Sequence, residues 1–175
     1  LRPEDVGLTV MPFHFSYGNS VLHTHLAAGA TLLLEDNLAY PHMVVHRLQD
    51  EKVTGFSGVP STFAILMARC HLDDFDLSSM RYLTQAGGAM TRASIQRMRQ
   101  LVPSAQFFVM YGQTEATARL TYLPPEHLAE RFGSVGIPLD GIEIQVRNGQ
   151  DKELPPGQVG ELCARGPNIM LGYWR

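Results

Sequence analysis

Cysteine is almost absent from this chain of 175 residues: Cys70 and Cys163 are its only two. Two cysteines cannot build a disulfide framework, so a reducing, cytoplasmic home is expected. Basic excess is absent as well. Fourteen lysines and arginines face 17 aspartates and glutamates, a formal charge of −3 with a pI near 6.2. That balance argues against a nucleic-acid partner, since such binders carry a clustered basic surplus. No apolar run approaches the roughly 20 residues of a membrane span. No signal peptide is expected at the start, and neither repeats nor low-complexity tracts occur. What is present is ordinary globular composition, with hydrophobic residues at 45% and charged residues at 18%, which rules out disorder as the main state. The length suits one domain of about 100–200 residues. Leu1, rather than methionine, stands first, and the chain is therefore expected to be a piece of a longer protein.

Short apolar runs alternate with amphipathic stretches. Val6–Met11, Thr31–Leu34, Val53–Val59, Arg81–Ala86 and Phe107–Met110 read as strands. Helices are expected over Asn19–Ala28, with Gly29 as its left-handed stop, from Pro41, from Pro60, and after the fourth strand with Ile95, Met98 and Leu101 facing inward. Phe63, Leu66, Met67 and Cys70 follow the spacing of one helical face. Strands apolar on both faces and separated by helices predict an α/β architecture, a parallel-rich sheet layered with helices on both sides. After Pro138 the pattern changes: Ile142, Ile144 and Val146 alternate with polar residues, the mark of a half-solvated antiparallel strand. Gln158–Arg165 offers a partner strand. Two units are expected, an α/β unit over 1–138 and the first strands of a small β-barrel over 139–175.

Open α/β sheets bind ligands at the carboxyl ends of their strands, and two loops there carry chemistry. Gln85-Ala86-Gly87-Gly88-Ala89-Met90 follows the fourth strand. Its paired glycines allow backbone N–H groups to approach a flat or anionic ligand, although a Gly-Gly pair alone is more often simply a tight turn. Tyr111-Gly112-Gln113-Thr114-Glu115-Ala116-Thr117 follows the fifth strand. An aromatic face can stack on a purine, a threonine hydroxyl can contact phosphate, and a carboxylate can hold Mg²⁺. Tyr111 as a core aromatic and Thr114 as a helix cap fit the same residues.

The segment Tyr111–Thr117 resembles the most specific motif of the AMP-forming adenylating superfamily, which includes acyl-CoA synthetases, peptide-synthetase adenylation domains and luciferases. Four further segments are similar to family motifs and stand in the family's order: Met11–Gly18, Ala86–Met90, Gly133–Pro138, and Gly160–Pro167 continuing to Gly172-Tyr173-Trp174. Five motifs in sequence make chance agreement improbable. The resemblance implies a ligase that activates a fatty or aromatic carboxylic acid with ATP as acyl-AMP, releasing pyrophosphate, and then transfers the acyl group to coenzyme A. It also implies roles. Thr114 and Glu115 would be catalytic, with Glu115 the Mg²⁺ ligand; Gly87, Gly88, Ala89, Tyr111, Gly112, Gln113 and Thr114 would bind nucleotide. His14, Phe15, Ser57, Gly58 and Val59 would shape the acyl pocket, Phe15 standing where the family often has histidine.

The family's upstream phosphate loop, its ribose-binding aspartate and its C-terminal lysine domain have no counterpart in this sequence, so the piece alone is expected to be inactive. Cut sheet edges would favour self-association. A carrier protein could replace coenzyme A as acceptor, and a non-catalytic scaffold that kept the fold is the competing interpretation. Other chemistries fit poorly. His42 and His46 share a helical face, but Met43 stands where a metalloprotease has its glutamate. Gly55–Val59 lacks the last glycine of a hydrolase nucleophile elbow.

Overall fold

A computed structural model describes residues 1–35 and 38–174. Its main sheet takes β1 (Val6–Thr9), β2 (Thr31–Leu34), β3 (Gly55–Gly58), β4 (Tyr82–Gln85), β5 (Gln106–Tyr111), β6 (Thr121–Leu123) and β7 (Ile137–Pro138). Their spatial order is β2-β1-β3-β4-β5-β6-β7. The first five are parallel, while β6 and β7 continue the sheet antiparallel. A separate antiparallel pair joins β8 (Glu143–Arg147) to β9 (Glu161–Arg165), with Ile144 opposite Ala164. The expected α/β class with a parallel-rich sheet is therefore the observed one.

Four helices connect the parallel strands: α1 (Ser16–Ala28), α2 (Pro41–Asp50), α3 (Pro60–Arg69) and α4 (Arg92–Leu101). Proline opens α2 and α3, where a missing N–H costs nothing. The Thr91 hydroxyl caps α4 by accepting from the Ser94 N–H at 3.2 Å. Gly29 ends α1 with φ of 66°, a left-handed turn that glycine adopts without strain. The α1 helix starts three residues before the predicted Asn19. A tight turn, with the Phe15 N–H donating to the Pro12 carbonyl at 3.2 Å, sets the helix going before any capping side chain is reached. Among the described residues no helix is long and apolar enough to cross a membrane.

Strand side chains alternate faces, and the two faces of this sheet are covered unequally. Leu8, Phe56, Leu83, Phe107 and Leu123 join residues of α2, α3 and α4 in the main core. There Phe63 meets Phe56 edge-on at 5.9 Å and Phe107 at 5.6 Å, contacts that add about 0.5–1.5 kcal/mol each beyond area burial. Phe108, Met110, Leu32 and Tyr122 point the other way, where Tyr17 and Val21 of α1 supply the buried helical partners. One helix cannot cover seven strands. The expected layering on both sides holds over β1 and β2 but leaves an open chamber beneath β3 to β6.

Candidate functional site

The site grows from the carboxyl ends of β3, β4 and β5, which the parallel register sets side by side: Gly58 pairs with Gln85, and Gln85 with Val109. Gln85 is fully buried. Its Nε2 donates to the Gly88 carbonyl at 2.7 Å, pinning the turn, while its Oε1 is buried without a partner. Gly87 follows with φ of 83°, and a Cβ there would stand 3.2 Å from Val59 Cγ1. The turn thus presents backbone rather than side chains. Gly87, Gly88, Ala89, Tyr111 and Gly112 line a cavity of about 560 Å³, together with Ile95, Leu128 and Phe132.

Gln113, Thr114 and Glu115 lie outside that lining, on a single 3-10 turn (Thr114–Ala116) and the residue before it. The Thr114 and Ser16 hydroxyls are 3.4 Å apart. Glu115 accepts a 2.7 Å hydrogen bond from the Tyr173 hydroxyl, and its carbonyl accepts from the Met170 N–H at 2.9 Å. The bond from Tyr173, helped by the Glu115 backbone N–H, holds the carboxyl below its ordinary pKa, so it is ionised. Beyond it, Thr117 and Ala118 both take positive φ, 52° and 75°. Such backbone persists only when its surroundings over-determine it. Here Asn168 does so: its Nδ2 donates to the carbonyls of Ala116 (2.9 Å) and Arg119 (3.0 Å), and its own carbonyl accepts from the Thr117 hydroxyl (2.7 Å).

The chamber beneath α1 has a volume of about 500 Å³ and is lined by Val21, Thr24, His25, Ser57, Thr84, Phe108, Met110, Arg119 and Tyr122, among others. Met110 also lines the first cavity and so contributes to both linings. A hydroxyl relay runs along one side: the Tyr17 and Thr84 hydroxyls are 2.7 Å apart, and Thr84 donates to Ser57 at 2.8 Å. Burial, opposed by the bond to Thr84, pushes the Tyr17 phenol up to about 12. His25 donates from Nδ1 to the Val21 carbonyl at 2.7 Å and receives the Tyr82 hydroxyl at Nε2, 3.1 Å away. Burial depresses its pKa, in keeping with a neutral ring.

Of the residues expected in the acyl pocket, Ser57 lines this chamber. Gly58 is buried against Thr62 and Phe63, and Val59 packs in the small core under α1. His14 and Phe15 are exposed, their rings tilted by 42° with centroids 4.3 Å apart, and line neither cavity. The turn ahead of α1 carries them outward. No local pattern marks Arg119 or Asn168, because the groups each one faces come near only in the fold.

Residues 1–174 match the family described as AMP-binding enzyme. A feruloyl-CoA synthase of Amycolatopsis sp is 33% identical over 175 residues, 99% of this chain and 35% of that protein. A long-chain-fatty-acid–CoA ligase of Escherichia coli is 31% identical over 176 residues, 98% of this chain and 30% of the ligase. Among solved structures, that of VinN superposes with a TM-score of 0.90 at 31% identity, over 100% of this chain and 43% of that one. The chain spans about a third of the length of the curated relatives it matches.

Proposed function

The chain belongs to the AMP-binding enzyme family, and from that membership we propose that the protein carrying it is an ATP-dependent carboxylate–coenzyme A ligase. The observation that carries this reading is a pair of unlike cavities that share Met110 in their linings. One is a slot walled by backbone and an aromatic ring, suited to a flat base. The other is a chamber of mixed apolar, hydroxyl and arginine lining, suited to an acyl group. Two reactants held in neighbouring cavities that share a lining residue are kept close, which turns a bimolecular step into an effectively unimolecular one.

In this reading Tyr111 stacks on adenine, and Gly87, Gly88, Ala89 and Gly112 allow close backbone approach. The substrate carboxylate attacks the α-phosphorus of ATP, the bond to the bridging oxygen breaks, and pyrophosphate leaves. A coenzyme A thiolate then attacks the acyl carbon and AMP departs. Thr114 and Gln113 bind phosphate oxygens at the rim. Glu115, ionised and half-buried, would hold the Mg²⁺ of the nucleotide, a hard cation that takes carboxylate and water ligands and neutralises phosphate charge. The names of the relatives support coenzyme A as acceptor.

The test uses the intact protein with ATP, Mg²⁺ and a panel of carboxylic acids, reading pyrophosphate release. Glu115→Gln is expected to cut the rate about 10²–10³-fold, the usual loss for one charge-neutralising contact, while leaving thermal unfolding unchanged. Near wild-type release by that variant would remove the Mg²⁺ role. Failure of the intact protein to bind ATP in calorimetry would favour a non-catalytic scaffold.

A further inference from the structure

Arg119 is out of keeping with the chamber it lines. Its Nε is buried without a hydrogen-bond partner among the described residues. Among the described residues no carboxylate forms an ion pair with it. Asp140 lines an adjoining hollow beside Arg119 but also makes no pair with it. The guanidinium stands 5.9 Å from the centroid of the Tyr17 ring, a weak cation–π contact at the edge of its range. Burial lowers its pKa, with Tyr17 and Tyr82 opposing, yet a guanidinium keeps its charge in any protein setting.

The chamber wall repeats the sign. Its charged residues are Arg2, Arg81 and Arg119, with no aspartate or glutamate among them. Arg81 is already paired with Asp5 at 2.8 Å, and Arg2 lies 3.9 Å from Glu4. Arg119 is therefore the wall cation with no anion of its own. An acid ending in a methyl group would seal this guanidinium from water and give it no acceptor in return, an unfavourable exchange. An acid ending in a second carboxylate would supply the missing acceptor, and the planar fork suits two parallel bonds.

We propose that Arg119 is a specificity-determining residue, and that the chamber beneath α1 takes a dicarboxylic acid whose second carboxylate meets the unpaired guanidinium while its first reacts beside Met110. This rests on the reading of the two neighbouring cavities as nucleotide slot and acyl chamber. Arg119 lines the chamber but not the slot, so it acts on the remote end of the acid and not on the phosphates.

The experiment compares matched acids on the intact protein: succinate, glutarate and isophthalate against butyrate, valerate and benzoate. Pyrophosphate release and calorimetric binding are both read. The diacids are expected to lead in kcat/KM by about 10²-fold, the scale of one desolvated charge pair. Arg119→Gln should erase that preference through KM while the monoacids hold or improve, and Arg119→Lys should restore part of it. Faster turnover of monoacids by the wild type, or an unchanged preference in Arg119→Gln, would overturn the proposal. If no acid releases pyrophosphate, the ligase reading fails. The binding preference, read on the same protein and on both variants, then decides the role of Arg119 separately.

Discussion

Gly112 sits where no other residue fits. A Cβ added there would strike the Ala118 carbonyl and stand 2.8 Å from the Arg119 Cα, both backbone and neither able to swing aside. Gly112→Ala is therefore expected to destabilise the intact protein by about 1–3 kcal/mol, the usual range for overpacking. Gly149→Ala, with nothing within 4 Å of its Cβ, should be near neutral. Equal melting temperatures for the two variants would show that the loop yields. At this scale the sequence is readable wherever chemistry clusters locally: Gly87, Gly88, Ala89, Tyr111 and Gly112, singled out by their place after two strands, line one cavity. It is unreadable wherever a residue acts alone. Arg119 is one arginine between Ala118 and Leu120 until the chain folds and Tyr17 comes within 5.9 Å of it.

Punctuation residues give the elements away. Gly29, Pro41 and Pro60 mark helix ends because left-handed backbone and a missing N–H admit few other residues. The antiparallel extension by β6 and β7 escapes notice because strands of three and two residues carry no periodicity. The amino ends of the parallel strands are tied by a device equally hidden in the sequence. Asp5, 1% exposed, accepts from the Thr54 hydroxyl at 2.8 Å and from Arg81 Nη2 at 2.8 Å, thereby linking the starts of β1, β3 and β4. Burial would raise its carboxyl; the bonds from Thr54, the Arg2 backbone and Arg81, with the charge of Arg81, overcome that and hold it below the ordinary value. A folded-state pKa below the unfolded one adds stability that is fully present above the unfolded value, about 3.9, and disappears as pH falls through the folded value. Asp5→Asn is expected to cost about 1–3 kcal/mol at neutral pH. It should also flatten the acid limb of stability between about pH 5 and 2. Denaturant unfolding across that range checks both, and parallel acid limbs would refute the assignment.

The two sheets are joined by a clasp that no local pattern could reveal, since its partners lie about fifty positions apart. The stretch after β9 lays Asn168, Met170 and Tyr173 along the loop after β5, and among the described residues the hydrogen bonds of these three fall on Glu115 to Arg119. Two carbonyl acceptors leave the Asn168 amide only one orientation, with both donors used. The same bonds hold Thr117 and Ala118 in their left-handed conformations. A β-rich unit that hung loosely from the main sheet could not impose such backbone, so the small sheet acts as a brace for the loop that carries Thr114 and Glu115. Asn168→Ala removes both donors, leaves the Ala116 and Arg119 carbonyls unmatched, and should cost about 1–3 kcal/mol. The loss is expected to be local before it is global. Amide hydrogen exchange in the intact variant should quicken over 114–119 while β4 and β5 keep wild-type protection, and KM for ATP should rise more than kcat falls. Uniform acceleration across the main sheet would mean that Asn168 supports the core instead, and unchanged exchange over 114–119 would mean that the loop holds its shape without the brace.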